Sequence, residues 1–386
     1  MTDYDPEARR YTPLALKLKE RITRDGPLSV EAYMSACLQD PEHGYYVKQP
    51  AIGAGGDFVT APEISQIFGE LIGLWCAVVW QQMGSPARFN LIELGPGRGS
   101  LMADALRAAR MVPGFLSGAT ILLIESNVNL RAQQASALAG LDVEPTWAPS
   151  LLAVDEIRAG AYATRSAAAS APTILIANEF LDTRPIRQLV RRDGLWFERT
   201  VTLDDRGRLS FGCRPRPARN IERNASSSPP PTNGSIMEIA DGLGDLTVPL
   251  LELTRSFPVA ALLIDYGHTS SLPGDSLQAV RAHTFEHPLT SPGEADLTTQ
   301  VDFELRGRQC RDAGFATDGP VTQAELLSAL GITQRASRLM SANPKLAGSI
   351  EAGVARLLSP TGMGARFKAL GLRSPTLPPL PGFPVN

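Results

Sequence analysis

The sequence predicts an α/β fold built on a Rossmann-like parallel sheet. Four short apolar runs, separated by segments of helical character, support this prediction: NLIEL from Asn90, ATILLIE from Ala119, PTILIAN from Pro172 and VAALLID from Val259. Runs that are apolar at nearly every position are typical of parallel strands with both faces covered. Their alternation with helices favours a doubly wound sheet.

Two regions are expected to extend this core. Residues 1–85 are predicted to form an N-terminal helical region that acts as a lid, and residues 86–386 to form the core. Within the core, the segment IRQLVRRDGLWFERTVTL alternates around Asp193-Gly194, a hairpin signal, which predicts an antiparallel β insertion over about residues 186–236. The insertion ends in a Ser/Pro-rich loop, and residues 374–386 are expected to be an extended tail.

A helix is predicted to begin near Thr60. Thr60 and Glu63 have the spacing of a capping box, and Pro62 is tolerated in a first helical turn. Apolar residues then recur at helical spacing through TAPEISQIFGELIGLWCAVV, which predicts a half-buried helix.

Composition excludes several classes of partner. The 386 residues are 43% apolar and 20% charged, with a formal net charge of -3, so no basic surface for nucleic acid is indicated. The four cysteines form no CxxC pair, which favours a reducing compartment.

The N-terminus resembles neither a signal nor a transit peptide, and no segment suits a membrane span. A bacterial cytoplasmic location is expected, or the mitochondrial matrix for a eukaryotic chain.

A glycine-rich turn follows the first predicted core strand. In LIELGPGRGS, Gly95, Gly97 and Gly99 lie between that strand and a helix, where missing side chains let a ligand approach the backbone. Glu93 precedes the turn, and Glu125 ends the next strand, where a carboxylate can bind both ribose hydroxyls. An adenosine-containing ligand is therefore predicted.

The GxGxG spacing favours S-adenosylmethionine over a dinucleotide. Glu93 would repel a pyrophosphate but suits the methionine ammonium group or orders the loop amides. A structural turn and a nucleotide-dependent dehydrogenase are the alternatives. Asp57, in GDF, is a further candidate for cofactor binding, with a structural turn as its alternative. Trp147 is a candidate to flank adenine, or else a core aromatic residue.

Two other motifs are ambiguous or set aside. HTFEH, from His283 to His287, matches a metal-binding pattern, but Pro288 follows at once and argues against the helix that the pattern needs, so no metal site is expected. DYGH, from Asp265, either faces the substrate or forms a turn around Gly267.

Six segments in order resemble one known family. They are GDFVTAPEISQIFGE, LIELGPGRGSL, ANEFLDTRPI, LLIDYGH, PGEADLTTQVDF and GMGARF, and the match as a whole extends from about residue 15 to about residue 370. Together they are similar to the MidA/NDUFAF7 (DUF185) family of SAM-dependent methyltransferases. The resemblance implies a class I methyltransferase core, methylation of a protein arginine, and a part in assembling respiratory complex I. Methylation of a small molecule, or a non-catalytic SAM-binding assembly factor, are the alternatives.

The polar end of the strand ILIAN is the candidate catalytic region. Strand order brings Asn178 and Glu179 to the same sheet edge as the glycine turn. Glu179 is predicted to hold the substrate guanidinium, Asp182 to assist it or fix the loop, and Asn178 to supply an acceptor. Capping of the following helix is the alternative for both acids.

Overall fold

The computed structural model describes residues 11–48, 60–151, 171–215, 231–240, 244–254, 256–271 and 273–384. The helices are α1 (Pro13–Asp25), α2 (Val30–Gln39), α3 (Tyr45–Lys48), α4 (Ala61–Ile64), α5 (Gln66–Gln82), α6 (Ser100–Ala109), α7 (Phe115–Gly118), α8 (Val128–Leu138), α9 (Gly244–Thr254), α10 (Phe303–Asp312), α11 (Gln323–Ala329), α12 (Ile332–Ala342), α13 (Ala347–Leu358) and α14 (Met363–Arg366). The strands are β1 (Leu28–Ser29), β2 (Phe89–Leu94), β3 (Ala119–Ile124), β4 (Thr146–Ala148), β5 (Thr173–Asn178), β6 (Arg187–Arg192), β7 (Leu195–Leu203), β8 (Leu209–Pro215), β9 (Ile236–Ile239), β10 (Val259–His268), β11 (Gln278–Arg281), β12 (Thr284–Glu286), β13 (Asp296–Thr298), β14 (Val301–Asp302), β15 (Ala316–Thr322) and β16 (Phe367–Arg373).

The chain divides into two compact units. Unit 1 comprises Met1–Phe58, Asp182–Leu243 and Ser270–Gln300, and unit 2 comprises Val59–Leu181, Gly244–Thr269 and Val301–Asn386.

Unit 2 contains the predicted parallel sheet. Its strand order is β15-β16-β10-β5-β2-β3-β4, and the five strands from β10 to β4 are parallel. β16 is antiparallel to both of its neighbours. The chain runs outward from β2 to β4 and returns to the other side of β2 as β5. This reversal places the switch point between β2 and β5, outside whose carboxyl ends ligands bind in such sheets.

The strands of this sheet are buried on both faces, as their composition predicts. All six residues of β2 and of β5 are buried. On one face α5 packs against α6 at glycine positions, since a Cβ at Gly73 would lie 2.2 Å from the carbonyl oxygen of Ala105. The small residues of GELIG therefore let these helices approach closely next to the glycine turn.

The predicted helix from Thr60 is interrupted. Thr60 begins α4 without a side-chain cap, and α4 ends at Ile64. Ser65 has extended backbone angles, and its hydroxyl accepts a hydrogen bond from the N–H of Ile67 to begin α5. The capping-box prediction is wrong because the Glu63 carboxylate accepts a hydrogen bond from the Ser100 hydroxyl at 2.5 Å instead.

The predicted domain boundaries also need correction. α4 and α5, which the sequence predicts to be part of the N-terminal region, belong to unit 2, because the apolar face of α5 is part of the core of that unit. Residues 270–300 belong to unit 1 rather than to the sheet domain. The tail is packed, since Leu380 and Phe383 are buried and the Trp75 indole donates to the carbonyl of Pro381 at 3.0 Å.

Unit 1 contains the antiparallel sheet that the sequence predicts. β6 and β7 form a hairpin, and its turn residues Asp193 and Gly194 both have positive φ, as the Asp-Gly signal requires. The sheet order is β1-β7-β6-β9, with β8 paired to β7, and a second sheet has the order β12-β11-β13. Apolar residues of α1 and α2 contribute to the core of this unit. Most of the Ser/Pro-rich loop lies outside the described residues.

Among the residues that the structure describes, no helix has the length and apolar character to cross a membrane.

Candidate active site

The glycine turn joins β2 to α6 at the switch point of the sheet. Gly95, Gly97 and Gly99 have φ values of 58°, 53° and 86°, a region that residues with side chains rarely occupy. A Cβ on Gly95 would lie 2.9 Å from the Phe180 ring. Glycine is therefore required here both for backbone conformation and for space.

Glu93 lies beneath this turn as an acid in the buried strand β2. Its side chain is 3% exposed, and Oε2 is buried without a hydrogen-bond partner among the described residues. Burial raises the pKa of Glu93 to about 8. A buried carboxyl group without a partner at this position suits a ligand that brings its own cation.

Glu125 and Trp147 are joined through a third residue, Gln134. The Gln134 amide nitrogen donates to the carbonyl of Gly97 at 2.7 Å and to Oε2 of Glu125 at 3.3 Å. Its oxygen accepts a hydrogen bond from the Trp147 indole at 2.8 Å. Burial also raises the pKa of Glu125. Three predicted site residues are thus brought together, with Glu125 after β3 and Trp147 in β4.

Asn178 ends β5, the strand next to β2, and Glu179 follows it directly. Glu179 has φ 52°, which is uncommon for a residue other than glycine. Its Oε1 accepts hydrogen bonds from the N–H of Ala61 at 3.0 Å and from the Asn178 amide at 3.2 Å. Burial raises the pKa of Glu179 to about 7. Asn178 Oδ1 is buried without a hydrogen-bond partner among the described residues.

The helix α4 contacts both sides of this edge. Its first residue, Ala61, donates its N–H to Glu179, while Glu63 accepts from Ser100 in the first turn of α6. Arg98, in the glycine turn, lies 3.9 Å from the other carboxylate oxygen of Glu63. The segment APEI therefore links the glycine turn to the end of β5.

Asp265 of β10 fixes the turn that follows Glu179. Its Oδ2 accepts hydrogen bonds from the N–H groups of Phe180 and Leu181, at 3.0 and 2.8 Å. Gly267 lies in β10 rather than in a turn, and a Cβ there would lie 2.0 Å from the carbonyl oxygen of Val301. The turn proposed for DYGH is therefore wrong, because this glycine permits the close approach of β14.

The two remaining predicted site residues are Asp182 and Asp57. Asp182 belongs to unit 1, where it is buried and its carbonyl accepts the N–H of Thr299 at 2.9 Å. Asp57 lies outside the described residues. The motif HTFEH contains the strand β12 and not the helix that the metal-binding pattern needs. His283, its first residue, has positive φ.

Sequence reasoning missed Gln134 altogether. It lies four residues after Leu130 and four before Leu138, and all three are buried on one face of α8. A polar residue at the centre of an apolar helical face needs a buried partner, which is the signal that could have identified it.

The residues at this edge fit S-adenosylmethionine. Glu93 offers an unpartnered carboxylate to an ammonium group, the glycine turn leaves room for backbone approach, and Glu125 offers a carboxylate to ribose hydroxyls. Trp147 adds a flat apolar face for a purine. A doubly wound sheet with these groups at its switch point defines a class of protein, the SAM-dependent methyltransferases.

Comparison with known proteins gives the family. Residues 71–321 match the model of the family described as "Putative S-adenosyl-L-methionine-dependent methyltransferase". The zebrafish (Danio rerio) protein arginine methyltransferase NDUFAF7, mitochondrial, is 35% identical over 91% of this chain and 84% of its own. The human (Homo sapiens) protein of the same name is 30% identical over 95% of this chain and 85% of its own. The chain belongs to this family of methyltransferases.

A solved structure supports the same conclusion for fold and cofactor. A COG1565 superfamily member and likely methyl transferase from Burkholderia thailandensis, bound to S-adenosyl-homocysteine, has a TM-score of 0.79 and 25% identity. The match covers 96% of this chain and 93% of that one. The protein is a methyltransferase with a class I core that uses S-adenosylmethionine, which confirms the predicted fold class and cofactor.

Proposed function

We propose that this methyltransferase methylates an arginine side chain of a partner protein, with Glu179 as the residue that binds the guanidinium group. The relatives described above carry protein arginine methyltransferase in their names. The observation that supports the proposal is the carboxylate of Glu179 at the end of β5. Its Oε1 is occupied by Ala61 and Asn178, while Oε2 accepts no hydrogen bond from a described residue.

The unoccupied oxygen suits the chemistry of a guanidinium. Arginine has a pKa above 12 and presents planar N–H donors, which a carboxylate orients by charge-assisted hydrogen bonds. Binding at Oε2 would fix the nitrogen that reacts, and Asn178 Oδ1 offers a second buried acceptor. S-adenosylmethionine, when bound, supplies an electrophilic methyl group. Glu179 is then the group placed to take the proton that the methylated nitrogen loses.

The donor would be held by the residues across the switch point. We assign Glu93 to the ammonium group, the Gly95–Gly99 turn to the amino-acid portion, Glu125 to the ribose and Trp147 to the adenine. Asp57 and Asp182 stay predictions, for the donor and the acceptor side respectively.

The partner is proposed on the resemblance alone. Because the resembled family acts in the assembly of respiratory complex I, a subunit of that complex is the first substrate to test. A bacterial cytoplasmic location stays a prediction, whereas the named relatives are mitochondrial by name.

Glu179→Gln tests the central assignment. Complex I subunits from the same organism, prepared without this enzyme, are incubated with methyl-tritiated S-adenosylmethionine, and hydrolysed protein is analysed for methylarginine. We expect label on arginine with the wild-type protein and a roughly 10- to 100-fold lower rate with the variant, from loss of a charged hydrogen-bond partner. Binding of S-adenosylhomocysteine, measured by calorimetry, should persist.

Other outcomes separate the alternatives. Unchanged turnover in Glu179→Gln contradicts the role of Glu179. Label in a small metabolite and not in protein favours a small-molecule methyltransferase. Cofactor binding without label in any protein or extract favours a non-catalytic assembly factor.

A further inference from the structure

Gln134 is a polar side chain in the apolar face of α8. It is fully buried, at 0% exposure, between Leu130 and Leu138 one helical turn away on each side. Burying an amide costs free energy unless its hydrogen bonds are made. Here they are made with functional elements rather than with the core.

The amide of Gln134 contacts three separate elements at once. It donates to the carbonyl of Gly97 in the glycine turn and to Glu125 after β3, and it accepts from Trp147 in β4. A side-chain amide has both donors and an acceptor, so it can satisfy partners of opposite kind from one position. Neither a carboxylate nor an ammonium group could do so.

Each contact fixes a group that the donor site uses. With the Gly97 carbonyl bound to α8, the planar peptide directs the N–H of Arg98 away from that helix. Glu125 accepts a hydrogen bond from the Gln134 amide at Oε2 and another from the N–H of Asn127 at Oε1, the latter at 2.8 Å. The two hydrogen bonds together set the plane of the Glu125 carboxylate. The indole hydrogen bond likewise sets the plane of Trp147.

We propose that Gln134 is a positioning residue for the methyl donor, which acts through Gly97, Glu125 and Trp147 without touching the donor itself. The inference rests on the proposed donor site. A single side chain thereby holds the three groups in one arrangement.

Packing supports the same role. A Cβ added at Gly99 would lie 3.1 Å from the Cα of Gln134, so the backbone of α8 lies directly against the glycine turn. A shift of α8 would therefore be transmitted to the turn by contact as well as by the hydrogen bond to Gly97.

The first test compares Gln134→Met with Gln133→Met. Methionine is close to glutamine in size and has no strong hydrogen-bonding group, while Gln133, on the same helix, makes no hydrogen bond with a described side chain. Calorimetry with S-adenosylhomocysteine should show a Kd raised roughly tenfold or more for Gln134→Met and unchanged for Gln133→Met. The KM for S-adenosylmethionine should rise in parallel, with kcat at saturation within about twofold. A Kd within twofold of wild type for Gln134→Met overturns the proposal.

A second variant keeps the proposal testable if Gln134→Met does not fold. Gln134→Glu retains an acceptor for Trp147 but places a carboxylate against Glu125 and the Gly97 carbonyl. We expect it to weaken S-adenosylhomocysteine binding more than methionine does. Binding as tight as in wild type overturns the proposal.

A double-mutant cycle tests the route of action. Trp147→Phe removes the indole donor, so its effect on the Kd should be smaller when Gln134 is already methionine. If the increase in Kd for the double variant equals the product of the increases for the two single variants, the link through Trp147 is overturned.

Glu125→Ala separates this inference from the proposed donor site. If Glu125→Ala weakens S-adenosylhomocysteine binding and Gln134→Met does not, the donor site stands and the role of Gln134 falls. If neither change affects the Kd, the donor-site assignment falls and the inference falls with it.

Discussion

The carboxylate of Asp265 accepts a hydrogen bond from the backbone N–H of Phe180 at 3.0 Å. Phe180 directly follows Glu179, whose backbone has a strained, positive φ. The same Asp265 oxygen accepts the N–H of Leu181, and Asp265 is fully buried. A left-handed residue other than glycine costs about 1–3 kcal/mol and persists only where its surroundings hold it. Asp265 is therefore part of what keeps Glu179 at φ 52°.

Asp265→Asn tests this dependence. The change keeps size but removes the charge that binds two N–H groups, so we expect the turn to relax and turnover to fall roughly tenfold or more. The Kd for S-adenosylhomocysteine should change much less than turnover, since the two N–H groups that Asp265 binds lie in the turn after β5 and not in the glycine turn.

Asp318→Asn is the matched control for that variant. Asp318 also accepts a backbone N–H in unit 2, from Leu380 at 3.1 Å, and binds Arg373. It should lower the free energy of unfolding without lowering kcat. Equal losses of kcat in the two variants would show that Asp265 contributes stability alone.

The sequence predicted the parts of this site that depend on local pattern. The continuous apolar runs predicted the parallel strands. The glycine spacing predicted the turn that contains Gly95, because a left-handed backbone favours glycine. The hydrogen bond from Phe180 to Asp265 joins residues 85 apart, and nothing in either neighbourhood encodes it. The break at Ser65 was missed for a similar reason, since Glu63 is bound by Ser100 across the unit rather than by its own helix.

Turnover should depend on pH through Glu179. Burial raises the pKa of this group to about 7, so the carboxylate that binds guanidinium is present above that pH and lost below it. With S-adenosylmethionine saturating, kcat/KM for the protein substrate should rise as pH increases from about 6 to 8, with a midpoint near 7. The residual activity of Glu179→Gln should lack this rise. A wild-type profile that is flat across this range would rule out the assignment.

Binding of the donor should release a proton at Glu93. The pKa of this group is raised to about 8 by burial, so the free protein carries it mostly protonated at pH 7. An ammonium group beside the carboxyl stabilises the charged form and lowers its pKa, which expels the proton. Calorimetry of S-adenosylhomocysteine at pH 7 in buffers of different ionisation enthalpy should show release of close to one proton.

Glu93→Gln is the control for that measurement. It cannot titrate, so proton release should vanish while some binding remains. If wild-type binding releases no proton, Glu93 does not pair with the ammonium group and its proposed role fails.

Gly95→Ala should damage the donor site for two reasons that a control can separate. At φ 58° an alanine is strained by about 1–2 kcal/mol, and its Cβ would lie 2.9 Å from the Phe180 ring. Gly84 also has positive φ, at 86°, but a Cβ there meets nothing within 4 Å. Gly84→Ala should therefore lower only the free energy of unfolding, by about 1 kcal/mol. Gly95→Ala should also raise the Kd for S-adenosylhomocysteine, roughly tenfold or more, because the turn and Phe180 must move apart. Equal Kd values for the two variants would contradict a role for the Gly95 contact in donor binding.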